Sequence, residues 1–245
     1  MSAQPTHAML LAAGYGTRMR PLTQHTPKPL LPVLGRTLFD RALDRLEEAG
    51  VTDVAVNGHW LSDTVRTACA GRASPRLHFL HEPDLLETGG GILRALRAGA
   101  LGNAPFFAIN GDALWLDGPT PALSRLADNF DPANRDEGGT DALLLLHPAW
   151  ADPNYAGQGD FLMDPNGLLV RRPRHQVAPF VYAGVQLLHP KLFQGAPEGP
   201  FSMNLLWDQA IAAGRARGLR HDGLWFHLST PSDLDAAGAY LRQVR

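Results

Sequence analysis

Apolar positions in the first 115 residues alternate between compact runs and helical spacing. Ala8–Leu11 is a short apolar run that reads as a first strand. In Thr37–Ala49, the residues Leu38, Phe39, Ala42, Leu43 and Leu46 fall on one face of a helix, and Gly50 supplies a stop. Asp53–Asn57 reads as a strand, Leu61–Ala70 as a helix, Arg76–Leu80 as a strand and Gly90–Gly99 as a helix. Pro105–Ile109 is almost wholly apolar, the pattern of a central strand covered on both faces. This rhythm predicts an α/β fold with a mostly parallel sheet and right-handed crossovers.

The second half is less regular. Asp128–Asp141 is polar and turn-rich and reads as a surface loop before a strand at Ala142–His147. Gly159–Met163 and Leu168–Arg171 flank Pro165–Asn166–Gly167, a hairpin pattern. Phe180–Leu188 and Gly218–Leu228 read as strands, Leu205–Ala213 and Pro231–Arg242 as helices. The expectation is one domain over 1–245, in two halves over about 1–115 and about 140–245, the second laid as a wall on the first. No repeat is seen, and no β-helix extension is expected.

Composition narrows the classes. The chain has 245 residues, 44% of them hydrophobic, enough for a large core, and a formal net charge of −2. That balance gives no basic surface for nucleic acid. No apolar stretch approaches the length of a membrane span, and residues 1–7 lack an apolar signal core, so a cytoplasmic location is expected. The single cysteine, Cys69, excludes an intrachain disulfide and a cysteine-rich metal centre.

The densest chemistry lies in residues 10–33, LLAAGYGTRMRPLTQHTPKPLLPV. A strand runs into a small-residue loop containing Gly14, Gly16 and Thr17. Arg18 follows, and Lys28 stands between two prolines. Glycines let backbone N–H groups approach an anion, and the two cations neutralise it, which suits a nucleoside triphosphate. Arg18 to Arg20 occupy the place of the third glycine of a dinucleotide fingerprint, and no G-K-[ST] follows, so neither that motif nor a P-loop is present. Asn110–Gly111–Asp112 ends the apolar strand at 105–109. Ligands of parallel sheets sit beyond the carboxyl ends of strands, so this triplet and the glycine loop can share one cleft. A carboxylate at Asp112 could hold Mg²⁺, which takes one or two carboxylates plus phosphate oxygens and water.

The 24-residue stretch resembles the signature of sugar-1-phosphate nucleotidyltransferases, G-x-G-T-R-[LM]-x-P-L-T followed by P-K-P. The resemblance implies a Rossmann-like three-layer fold with a mixed, mostly parallel central sheet, and it makes about 1–115 the nucleotide-binding half and about 140–245 the sugar-binding one. It implies transfer of a nucleoside monophosphate from an NTP to a sugar-1-phosphate, with Mg²⁺ as cofactor. Gly14, Gly16 and Thr17 would wrap the nucleotide, Leu11, Ala12 and Ala13 would offer backbone groups to the base, and Arg18, Lys28 and Asp112 would be catalytic. The run Glu87–Thr88–Gly89–Gly90–Gly91 is similar to a second family loop that approaches base or ribose. Asn110 is expected near the ribose or sugar, and Asp160, Gly184 and Asn204 at the sugar. Together with GQGDF at 157–161 and YAGVQLLHP at 182–190, these motifs look most like N-acetylmuramate-1-phosphate uridylyltransferases, with mannose-1-phosphate guanylyltransferases next. The partners implied are therefore UTP or GTP and a sugar-1-phosphate. Oligomeric state is not legible.

Two departures stand out. Relatives carry W-x-D-[VI]-G-T, whose Asp is a second metal ligand, whereas this chain has Trp225–Phe226–His227–Leu228–Ser229–Thr230. Imidazole is a poor ligand for hard Mg²⁺, so a non-catalytic nucleotide-sugar sensor on the same fold stays open as the alternative to an enzyme. His227 is thus a metal ligand, a phosphate or sugar contact, or a half-buried structural residue, and in the last two cases Asp112 acts with phosphates and water alone. The family's E-K-P segment is also missing. Val170–Arg171–Arg172–Pro173–Arg174 stands in that region, either as a replacement grip on the sugar phosphate or as a solvated basic turn.

Overall fold

The computed structural model describes residues 4–131, 139–152 and 155–244. Strand β1 (His7–Leu11) leads into the glycine loop, three short 3-10 turns and a small hairpin, β2 (Pro32–Val33) and β3 (Arg36–Thr37). Then follow α1 (Leu38–Glu48), β4 (Asp53–Gly58), α2 (Ser62–Ala70), β5 (Arg76–His81), α3 (Glu87–Arg97) and β6 (Phe106–Asn110). The predicted alternation is therefore present, with ends shifted by a few residues. Thr37 caps α1 by accepting from the Asp40 N–H, a contribution of about 1 kcal/mol. The predicted apolar face of α1, Leu38 through Leu46, is the buried one.

The remainder comprises β7 (Leu114–Leu116), α4 (Ala122–Asp128), β8 (Ala142–Pro148), β9 (Phe161–Met163), β10 (Leu169–Arg171), β11 (Phe180–Leu188), α5 (Met203–Ala212), β12 (Ala216–Arg220), β13 (Leu224–Phe226) and α6 (Pro231–Gln243). The large sheet runs β10-β9-β11-β6-β1-β4-β5. The strands β6, β1, β4 and β5 are parallel. β11 joins β6 antiparallel on one edge and β8 antiparallel on the other, and β12 pairs parallel with β8. The second half thus continues the sheet sideways through β11, where the sequence suggested a wall laid over it.

One expectation is corrected, and the structure adds to two others. The single strand expected over 218–228 is two strands: β12 extends the main sheet, while β13 turns away to pair with β7. The turn between them is anchored by His221, whose ring Nε2 donates to the carbonyls of Leu116 and Leu224. Helix α4 and strand β7 were not foreseen. The predicted loop over 128–141 overlaps the end of α4, and residues 132–138 lie outside the described residues.

Alternation along the strands splits the core into two layers. Leu10, Val54, Val56, Phe107 and Ile109 meet α1, α2 and α4 on one face through Phe39, Leu43, Val65 and Leu126. Met9, Ala55 and Ala108 meet α3 and α5 on the other through Ile92, Leu206 and Trp207. A third cluster packs α6 on the β2–β3 hairpin and the β7–β13 pair. Burying each large side chain contributes roughly 1.5–3 kcal/mol, and the sheet so fixed has its parallel carboxyl ends open on one side.

Candidate active site

At those carboxyl ends lies a cleft of about 440 Å³, within the size range of small-molecule sites. Its lining includes Leu11, Ala12, Ala13, Gly14, Gly16, Thr17 and Arg18 from the loop after β1. Lys28, Asn110 and Asp112, and Glu87 and Thr88 at the start of α3, complete the predicted residues found there. A more open groove between α1 and α2 is lined by Asp40, Asp44, Glu47 and Asp63, against Arg36 and Arg72. Its acidic excess repels a triphosphate, so size alone does not make it the site.

Local geometry explains the loop. Gly16 has φ +60°, and a Cβ there would press on Thr23 at 3.0 Å and on Lys28 at 3.2 Å. Buried Thr23 donates its hydroxyl to the Gly16 carbonyl at 2.8 Å. Gly111 brings β6 hard against β1: its N–H donates to the Leu11 carbonyl at 2.9 Å, and a Cβ would lie 2.5 Å from that oxygen. Arg18 is exposed and pairs with no carboxylate among the described residues.

Lys28 and Asp112 form an ion pair, with Nζ donating to Oδ2 at 2.5 Å. Lys28 Nζ also donates to the Leu228 carbonyl at 2.6 Å. Leu228 is held by the start of α6, where Asp233 accepts from the N–H groups of Ser229 and Thr230. Asp233's own pKa lies below the usual value; burial opposes the shift, and these bonds bring it about. Oδ1 of Asp112 has no protein partner among the described residues. The Tyr182 hydroxyl is buried without a partner among the described residues. Burial, and then the Asp112 charge, hold its pKa well above 10, so it is a neutral phenol.

Other predicted residues stand elsewhere. Gly89 and Gly90 do not line the cleft. They lie within α3, their N–H groups donate to the Phe201 carbonyl at 2.9 and 3.1 Å, and a Cβ on either would strike Phe201 or Gly199. Their glycine identity serves packing of α3 on residues 199–203. Ala12 lines the cleft, but its N–H is taken by Asn57 Oδ1 at 2.7 Å, and the Leu11 carbonyl is taken by Gly111. Asp160 Oδ2 accepts from the Tyr182 N–H at 2.9 Å. Gly184, with φ +81°, packs against Asn110. Asn204 is exposed and accepts from Arg171 at 2.9 Å. The Arg171 guanidinium also bonds Asp208 and covers the ring of Phe161. Arg172 donates to the carbonyls of Gly159 and Gln176.

His227 does not line the cleft. Its ring packs edge-on to Tyr155 and tilted to Trp225, and its N–H donates to buried Asp152. No group of three or more His, Cys, Asp or Glu able to hold a metal exists among the described residues. The sequence reasoning missed Asn57, Leu85, Ser202 and Ser229, which line the cleft. Asn57 was accessible to the rule that found Asp112, since it stands at the carboxyl end of a parallel strand.

A glycine loop, two cations and a carboxylate converging beyond a parallel sheet define an enzyme of the NTP-transferase class. The chain belongs to the MobA-like NTP transferase family, whose model matches residues 8–157. Within that class it is a sugar-1-phosphate nucleotidyltransferase. It is 38% identical to the N-acetylmuramate alpha-1-phosphate uridylyltransferase of Caulobacter vibrioides over 100% of both chains. It is 34% identical to the enzyme of the same name from Neisseria meningitidis serogroup B, over 95% of this chain and 96% of that one. The crystal structure of HddC from Yersinia pseudotuberculosis superposes with a TM-score of 0.74 at 19% identity, covering 96% of this chain and 99% of that one, which shows the shared fold.

Proposed function

We propose that the protein joins UTP to N-acetylmuramate-1-phosphate, giving the UDP-sugar and pyrophosphate. The reading rests on the meeting of the glycine loop, Lys28 and Asp112 in one cleft, and on the names of the full-length relatives at 38% and 34% identity. An oxygen of the sugar phosphate attacks the α-phosphorus in line, forming the new P–O bond as the bond to pyrophosphate breaks. The attacking oxygen is already anionic, so no general base is required. The task is to bring two anions together and to stabilise charge spread over the transferring group.

The residues suit that task. Gly14, Gly16 and Thr17 leave the backbone close to the phosphates, and exposed Arg18 supplies charge at the mouth. Lys28 is pre-aimed by Asp112 and Leu228, and a rigid cation costs little reorganisation during reaction. Asp112 fits Mg²⁺ as a single hard oxygen ligand, with Oδ1 available and phosphate oxygens and water to complete the shell. Bound there, the ion would neutralise phosphate charge. His227, outside the cleft lining, does not fit as a second ligand.

The test is pyrophosphate release with Mg²⁺ across UTP, GTP, CTP and dTTP, each paired with N-acetylmuramate-1-phosphate, mannose-1-phosphate and glucose-1-phosphate. The expected result is one strong pair, UTP with N-acetylmuramate-1-phosphate. Preference for GTP with mannose-1-phosphate would overturn the substrate assignment and leave the transfer chemistry in place. No release with any pair, in Mg²⁺ or Mn²⁺, would overturn both.

A further inference from the structure

Glu82 is fully buried, yet it faces no cation among the described residues. A carboxylate in that position must be satisfied by hydrogen-bond donors. Its Oε1 accepts from Asn57 Nδ2 at 2.8 Å, and its Oε2 accepts from the Leu86 N–H at 3.2 Å. Its carbonyl accepts from His59 Nδ1 at 2.9 Å. A carbonyl can only accept, so His59 carries its proton on Nδ1 and its Nε2 accepts from the Tyr15 hydroxyl at 2.9 Å. Asn57 Oδ1 in turn accepts from the Ala12 N–H at 2.7 Å.

One residue therefore ties together three segments that border the cleft, two through its carboxylate and one through its main-chain carbonyl. Through Asn57 it reaches the start of the glycine loop, through His59 it reaches the loop's middle at Tyr15, and directly it holds the entrance to α3. Gly91 belongs to the same device. A Cβ there would lie 2.8 Å from Asn57 Nδ2 and 2.9 Å from Glu82 Oε1, so the Asn57–Glu82 bond needs a glycine behind it. We propose that Glu82 is a positioning residue for the nucleoside triphosphate, setting the separation of the glycine loop from the α3 entrance. It does not line the cleft and acts through Asn57, which does. The proposal rests on the cleft being the nucleotide site.

The geometry permits an exchange test. Glu82→Gln alone places an amide donor against either the Leu86 N–H or Asn57 Nδ2. Asn57→Asp alone sets two carboxylates against each other. The double variant Asn57→Asp/Glu82→Gln restores every bond, with donor and acceptor reversed between the two side chains. The new carboxylate at position 57 accepts from the Ala12 N–H and from the new amide at position 82, whose oxygen accepts from the Leu86 N–H. UTP and GTP are titrated calorimetrically into wild type, both singles, the double and Tyr15→Phe. Melting temperature and KM for the sugar phosphate are measured beside them. Each of the two polar singles should weaken nucleotide binding tenfold or more, the double should return to within about fivefold of wild type, and KM for the sugar phosphate should stay within twofold. Tyr15→Phe, on an exposed side chain, should weaken nucleotide binding severalfold without lowering the melting temperature. It tests the arm that runs through the Glu82 main-chain carbonyl, and where a polar single does not fold, the double variant keeps the carboxylate's role testable. A Glu82→Gln protein with near-normal nucleotide affinity, a double no better than its singles, or a loss shared equally by both substrates would overturn the assignment. Wild type that binds neither nucleotide would instead remove the nucleotide reading of the cleft.

Discussion

Lys28 and Asp112, 84 positions apart, meet with Nζ 2.5 Å from Oδ2, so the main cation and the main carboxylate of the cleft are each other's partners. Removing either therefore alters the other. Lys28→Ala deletes the cation proposed to meet the phosphates, and Asp112→Ala frees Lys28 from one of its two anchors. Each should lower turnover by two or more orders of magnitude, on the scale of other electrostatic stabilisers. The Asp112 carboxylate is 40% exposed, so the melting temperature should move little in comparison. Steady-state pyrophosphate release and thermal melts on the same samples check this. Near-normal turnover in either variant removes that residue from the chemistry.

The two loop glycines should behave differently. Gly16→Ala must adopt φ +60° and press on Thr23 and Lys28. A cost of roughly 1–3 kcal/mol in urea-measured stability is expected. A Cβ on Gly14 meets nothing within 4 Å. Gly14→Ala should keep wild-type stability, and any rise in its KM for nucleotide reports close approach of the ligand. Equal destabilisation by the two would contradict the loop geometry.

Acid should weaken the fold through two buried histidines. His147 and His221 each have a pKa lowered from 6.5, in both cases chiefly by burial, and His147 further by its neighbour His221. Among the described residues, the buried ring Nδ1 of each has no hydrogen-bond partner. The unfolded chain takes up these protons first, so this contribution is present above the ordinary histidine value of about 6.5 and is lost as pH falls below it. Urea unfolding from pH 7.5 to 5.5 should show stability declining, and the decline should flatten in His147→Asn/His221→Asn. A flat profile in wild type would exclude the effect.

Cys69 should be inert in the folded protein. It is buried in α2, and burial pushes its thiol pKa up to about 11. Thiolate is the reactive form. A maleimide or disulfide reagent at pH 7.5 should label the chain only on unfolding, which mass spectrometry reads directly. Rapid labelling of native protein would mean that α2 opens locally.

Much of the site was legible in sequence because strand ends and short signatures are local. The apolar runs placed β1 and β6, and the parallel-sheet rule joined the glycine loop to Asp112. What escaped was long-range. Glu82, in the stretch His81–Glu82–Pro83–Asp84, carries no mark of burial, and its partners lie 25 residues back in β4 and four ahead. The ETGGG run was read as a ligand loop; Glu87 and Thr88 do line the cleft, while its glycines answer to Phe201, Gly199 and the Asn57–Glu82 bond. Residues 218–228 look like one strand because nothing in that apolar pattern shows that His221 bonds the carbonyls of Leu116 and Leu224 and turns the chain.

The bond from Lys28 to the Leu228 carbonyl has a consequence for the order in which the protein becomes competent. On the ribosome, β1 and the glycine loop emerge early. The carbonyl that fixes Lys28 arrives 200 residues later, and the helix start that steadies it comes later still. A nascent chain can thus display its glycine loop while the lysine is still unanchored. The segment from Leu228 to Asp233 is thus the last of the cleft's parts to be made, and a chain cut before Leu228 lacks the carbonyl that anchors Lys28.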